Sequence, residues 1–215
     1  IPSHKISIIR NPIDIERFST KRKIRKHPKT ALFMSYRYNQ ETLRVLKGAC
    51  KMAGLQLTIL GKYNRVYNVE KFINKADLVI TLSRGILESL SCERPAIVYD
   101  YEGGDGMVSP KNFERLMTKN FSGRYFKKAY GIRDLFMEIK KYDPDSTAML
   151  KGMVMKHFDS NVVGHNILHI LAKLENIKKP LKPLLPYKEI LWLIQRVNYF
   201  ANQKKTQQRQ DFIGS

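Results

Sequence analysis

The sequence predicts an α/β fold, a parallel sheet with helices on both faces followed by a C-terminal helical extension. Three observations predict it. Short apolar runs recur at residues 30–35, 55–60, 77–81 and 96–99, each with the length and composition of a strand buried on both faces. Amphipathic stretches alternate with them at residues 40–53, 69–74 and 88–92, and crossovers this short make neighbouring strands parallel. Beyond residue 123 the text turns helical.

The elements follow in order. Thr30-Ala-Leu-Phe-Met-Ser35 is the first strand. Residues 40–53 place Leu43, Leu46, Cys50 and Ala53 at helical spacing, and Gly54 stands where a left-handed C-terminal cap belongs. Leu55-Gln-Leu-Thr-Ile-Leu60 is the second strand, followed by a polar loop over 62–68 that carries tyrosines. A short helix over 69–74 leads into the third strand, 77–81. The turn Ser83-Arg-Gly85 and a helix over 88–92 connect it to the fourth, 96–99.

Gly103-Gly-Asp-Gly106 falls in a segment read as a loop, residues 100–109, since Gly-Gly and Asp-Gly are turn pairs. Residues 132–140, 147–158 and 162–174 are helical, with a break near Asp159-Ser160, and Met149, Met153 and Met155 read as core filler. Lys178-Lys-Pro-Leu-Lys-Pro-Leu-Leu-Pro186 is an extended basic connector. It leads to an apolar-rich helix over 187–200, for which packing on protein and lying on a membrane surface both stay open. Residues 203–215 are polar.

A chain of 215 residues with 43% apolar residues can bury one sizeable core. No stretch has the apolar length of a membrane span or the pattern of a signal peptide. Cys50 and Cys92 lack metal or redox spacing and read as buried thiols of a reducing compartment. His165 and His169 stand four apart without a third ligand, which predicts no metal site.

Function is most legible at residues 76–99. A strand, a Ser-Arg-Gly turn and a helix offer a diphosphate a helix N-terminus, where unpaired N–H groups and the helix dipole favour negative charge. Arg84 adds a guanidinium there, and Glu88, one helical turn on, is within reach of sugar hydroxyls. The pattern reads as a nucleotide-sugar site. In parallel sheets ligands bind beyond the carboxyl ends of the strands, here the loops 36–39, 61–68, 82–85 and 100–109.

The segment Glu88-Ser-Leu-Ser-Cys-Glu-Arg-Pro95 with Ala96-Ile-Val-Tyr99 resembles the Glu-Ala-Met-Ala-Cys-Gly-Lys-Pro-Val segment of glycosyltransferases with two Rossmann-like domains, the GT-B architecture, the family 4-like group especially. Arg10-Asn-Pro-Ile-Asp-Ile-Glu-Arg-Phe18 resembles their crossing from acceptor to donor domain. Gly103-Gly-Asp-Gly-Met-Val-Ser-Pro-Lys-Asn-Phe113 and Asn120-Phe-Ser-Gly-Arg124 resemble a subgroup's Gly-Met-Val-Thr-Pro-Glu-Asn-Phe and Asn-Phe-Gly. The three landmarks stand in the right order over roughly the first two thirds of the chain. Two departures stand beside them: Ile80 occupies the place of an earlier glutamate, and no lysine follows Arg37 at the expected distance.

The resemblance implies a Rossmann-like donor-binding domain over 19–177, preceded by a crossover segment, 1–18, from an N-terminal acceptor domain of the same protein. Residues 178–215 follow as linker and C-terminal helix. It implies a glycosyltransferase that moves a sugar from a nucleotide-diphosphate sugar to a glycan or lipid-linked acceptor, with retention, without metal and without cofactor, at or near the cytoplasmic membrane face. The beginning at Ile1 is read as that of a fragment, inactive without its acceptor domain. The site assignments are Arg84, Gly85, Ile86 and Arg37 for the leaving diphosphate, Glu88 for the ribose, and Gly104, Asp105, Gly106 and Met107 for the transferred sugar. Breaking the anomeric bond leaves a negative diphosphate, so positive groups and aligned N–H dipoles are what the chemistry requires.

Charge is the second signal. With 39 Lys+Arg against 19 Asp+Glu the formal net charge is +20, a field that attracts nucleic acid, anionic lipid and diphosphates alike. Its densest run, residues 21–29, reads as a solvated loop. Two rival classes stay open: a nucleotide-sugar epimerase-like domain sharing the donor site, and a non-catalytic basic module for nucleic acid or anionic membrane.

Overall fold

A computed structural model describes residues 7–61, 63–64 and 66–175, the side chains of 172–175 excepted. The sequence-predicted linker and helix of 178–215 lie outside the described residues. Residues up to Ile170 belong to one compact unit.

Five strands form one sheet: β1 (Thr30–Ser35), β2 (Gln56–Gly61), β3 (Leu78–Thr81), β4 (Ala96–Asp100) and β5 (Gly103–Met107), in the order β2-β1-β3-β4-β5. The first four are parallel, with Phe33 opposite Ile59 on one side and Ile80 on the other. β5 returns antiparallel beside β4. The fold is therefore α/β and Rossmann-like, as predicted.

Side chains alternate along each strand, so the sheet faces two apolar layers. Leu32, Val79 and Val98 share one layer with Ile86, Leu87 and Leu90 of α3 (Arg84–Ser91) and with Phe158 of α6 (Thr147–Phe158). Ala31, Phe33 and Ile80 face the other, against Val45 and Leu46 of α1 (Gln40–Met52) and Leu135 of α5 (Ile132–Ile139). The first layer also takes Ile73 of α2 (Val69–Lys75) and Leu116 of α4 (Phe113–Thr118).

Local chemistry sets the helix ends. Asn39 caps α1, its Oδ1 accepting from Thr42 N at 2.8 Å. Gly54, at φ +66, closes the same helix: its N–H donates to Lys51 O and that of Leu55 to Cys50 O, the left-handed cap the sequence predicts. Asp159 leaves helical backbone between α6 and α7 (Ser160–Glu175), where the break was expected. There Ile13 N donates to Phe158 O and Ser160 N to Ile13 O. The segment before Phe18 is thus fastened to the α6–α7 junction, with Ile13 wholly buried.

Three expectations change. Met149 and Met155, read as core filler, are exposed, and only Met153 packs against the first apolar layer. Residues 103–107, read as a loop, are a strand, because glycine lets β5 pass closer to its neighbours than any side chain permits. A Cβ on Gly104 would fall inside van der Waals contact with the Val98 carbonyl oxygen. The basic run at 21–29 is only partly solvated. Arg22 and Arg25 pair with the wholly buried carboxylate of Asp77 at 2.7 and 2.8 Å. Lys29 N, Thr30 N and Thr30 Oγ1 donate to that carboxylate as well. Behind them Arg94, fully buried, donates to the carbonyls of Glu93, Arg22 and Asn74.

Candidate functional site

The chain leaves β1 toward β2 and leaves β3 toward β4, so the crevice between β1 and β3 is the switch point of the sheet. A cleft of about 680 Å³ opens there. Its walls come from the loops after β1, β2, β3 and β4 and from residues 122–124, close to the loop set read from the sequence.

The wall after β3 is built tightly. Thr81 Oγ1 donates to Met34 O at 2.7 Å, tying the ends of β3 and β1 together. Ser83 then turns the chain at φ +47, ψ −117, backbone that glycine adopts freely and serine adopts at a cost of order 1–3 kcal/mol. Its N–H donates to Phe121 O at 2.8 Å, and Asn120 and Phe121 both have positive φ. That bond brings Ser122 and Arg124 to the cleft from a distant part of the chain. Gly85 must be glycine here, because a Cβ would lie 2.5 Å from Thr81 Oγ1.

Arg84 and Glu88 meet in the cleft. Arg84 Nε donates to Glu88 Oε1 at 2.8 Å, the arginine side chain 58% exposed and the glutamate 13%. Burial pushes the Glu88 carboxyl above its ordinary pKa, and the Arg84 guanidinium pulls against it. Arg37 also lines the cleft, after β1. The Ser35 hydroxyl accepts from Arg37 N and donates to Arg37 O, setting that turn. Asp100, buried, and Glu102, exposed, add acidic groups to the cleft, and Glu102 N donates to Asp100 Oδ1 at 2.8 Å. Burial raises the Asp100 carboxyl, opposed by that N–H and by the charges of Arg37 and Arg124. Three arginines and three carboxylates therefore converge on one crevice.

Of the residues assigned to a diphosphate, Arg37, Arg84 and Gly85 line the cleft, as does Glu88, assigned to a ribose. Ile86 is wholly buried in the core and does not. The amides of Gly85 and Ile86 donate to Leu82 O and Ser83 O at 3.0 and 3.1 Å, so the first turn of α3 engages N–H groups expected to face a ligand. Gly104, Asp105, Gly106 and Met107, assigned to the transferred sugar, stand apart from this group. All four lie buried in β5 and none lines the cleft. The Asp105 carboxylate accepts from the N–H groups of Tyr125, Phe126 and Lys127, and Met107 N donates to Glu138.

Arg124, Asp100 and Glu102 also line the cleft. Asp100 and Glu102 fall in the loop 100–109 expected to meet a ligand, while for Arg124 the only local signal is its charge at the end of Asn120-Phe-Ser-Gly-Arg124. Among the described residues no group of three His, Cys, Asp or Glu side chains is placed to hold a metal ion, and no helix is long and apolar enough to cross a membrane. Cys50 and Cys92 are free and buried, and burial pushes their thiols up to about 11 and about 12. Both are inert as nucleophiles at neutral pH.

The sequence matches no protein-family model and no curated protein. The class that fold and cleft define is an α/β domain with a charged crevice at its switch point.

Proposed function

We propose that the cleft binds a nucleotide-diphosphate sugar and that the chain is the donor-binding domain of a glycosyltransferase serving a glycan or lipid-linked acceptor. The acceptor domain of the same protein would cover the crevice from above, and the enzyme would work at the cytoplasmic face of a membrane. The observation that carries the reading is the Arg84–Glu88 pair in the switch-point cleft, which Arg37 and Arg124 also line.

The chemistry follows from charge. As the anomeric C–O bond breaks, negative charge gathers on the leaving diphosphate, and guanidinium groups fixed at that place stabilise it most in the transition state. A diphosphate entering the cleft competes with Glu88 for Arg84. Glu88 is then free to accept hydrogen bonds from vicinal hydroxyls, as a ribose presents. With two amides of the turn already engaged, the arginines carry more of the phosphate binding than the main chain does.

Calorimetry with a panel of nucleotides and nucleotide sugars tests this. Nucleoside diphosphates should bind, Arg84→Ala should lose the binding, and Glu88→Ala should weaken it about tenfold, as for one charge-assisted hydrogen bond. Tight oligonucleotide binding without any nucleotide response would instead make the domain a basic adaptor.

A further inference from the structure

We infer that the loop Arg124-Tyr-Phe-Lys-Lys128 is a docking point for an anionic lipid surface. Its tip is apolar and exposed: Tyr125 and Phe126 are 40% and 53% accessible and pack edge to face, with ring centroids 4.8 Å apart. Basic side chains follow the tip. That of Lys127 is exposed and has no ion-pair partner among the described residues. Lys128 lies 3.6 Å from Asp134, each half exposed, and over the Tyr130 ring.

The loop is held in shape rather than left slack. Asp105, buried in β5, accepts from Phe126 N at 2.7 Å and from Tyr125 and Lys127 N at 3.4 and 3.3 Å. Gly104 and Lys128 exchange both main-chain hydrogen bonds, at 2.9 and 3.0 Å. Gly103 leaves room for that approach, since a Cβ there would run into the Lys128 carbonyl. A segment fixed this way keeps two aromatic rings in water without loss of freedom still to come on binding. Lys127 is held at φ +50, where glycine would sit without strain.

An aromatic tip followed by cations fits the membrane interface, where rings insert at headgroup depth and basic side chains meet anionic lipid. Nucleic acid fits it less well. The two rings close on one another, edge against face, into a knob rather than a flat platform on which bases stack. The net charge of +20 acts in the same direction. The inference does not depend on the reading of the cleft, because vesicle binding needs no nucleotide.

The test uses the full chain with vesicles of phosphatidylcholine alone or mixed with phosphatidylglycerol. Phe126→Trp, in a Trp192→Phe background, should shift its emission to the blue on the mixed vesicles and stay unchanged on the neutral ones. Tyr125→Ser with Phe126→Ser should weaken co-sedimentation about tenfold. Lys127→Gly should weaken it about fivefold while its thermal midpoint stays level or rises, which separates lost docking from lost folding. Unshifted emission overturns the inference. So does co-sedimentation that none of these substitutions alters, or oligonucleotide binding that they abolish while vesicle binding stands.

Discussion

At the scale of single residues, Asp77 does the most with one carboxylate. It receives two guanidinium groups, two main-chain amides and a hydroxyl in a site closed to solvent. Burial alone would raise its pKa, but these donors together hold it far below the ordinary carboxylate range. The linkage has one sign. Below about pH 4 the unfolded chain takes up a proton that the folded chain refuses, so this stability is complete above about pH 5 and is lost as pH falls. Asp77→Asn should therefore cost about 2–3 kcal/mol at neutral pH, and urea unfolding should show a flatter acid limb than for the parent. Ser83 argues the reverse case. Its backbone belongs to glycine, so Ser83→Gly should hold or raise the thermal midpoint, whereas Ser83→Val should lower it by about 1–3 kcal/mol of stability. If neither substitution moves the midpoint, the turn is not strained.

At the scale of elements, the instructive case is β5. Its glycines read as a loop because that composition is depleted in strands, and the property that made it look like a turn is what the strand uses. Gly104 lies against the Val98 carbonyl, and Gly106, at φ +81, has no room for a Cβ beside Glu138, 2.6 Å away. Gly104→Ala should therefore lower stability by about 2–4 kcal/mol, seen in chemical unfolding. Were Gly104 a ligand-facing residue instead, nucleotide affinity would fall with stability intact. Three of the parallel strands were legible because buried strands are written as apolar runs that little else explains; β2, expected to be buried on both faces, is an edge strand with Gln56 and Thr58 exposed, and α1 was legible because Gly54 marks its end. The helix α4 was not foreseen, since residues 113–118 make fewer than two turns and carry too few positions for a period to show. The cleft was legible where sequence neighbours build it, at Arg84 and Glu88. Arg124 reaches it through a main-chain bond between Ser83 and Phe121, and no local pattern announces a contact made across that distance.

At the scale of the whole molecule, two kinds of electrostatics need separating: a diffuse field of net charge +20 and three arginines gathered at one crevice. The field repels itself and is relieved by any salt, so raising sodium chloride should lift the thermal midpoint whatever the cleft does. A site behaves differently, because a ligand that binds only the folded state stabilises it by RT ln(1 + [L]/Kd), about 2.7 kcal/mol at a hundredfold excess over Kd. Pyrophosphate at matched ionic strength should then raise the midpoint of the parent beyond the chloride value. The excess should vanish in Arg84→Ala, whose net charge differs by one unit in twenty and whose response to chloride should barely change. Lys23→Ala removes the same unit of charge away from the cleft and should keep the excess. If pyrophosphate and chloride act alike in the parent, or if Lys23→Ala abolishes the difference as fully as Arg84→Ala, the anions are answering to the field alone, and the crevice has no claim to a diphosphate.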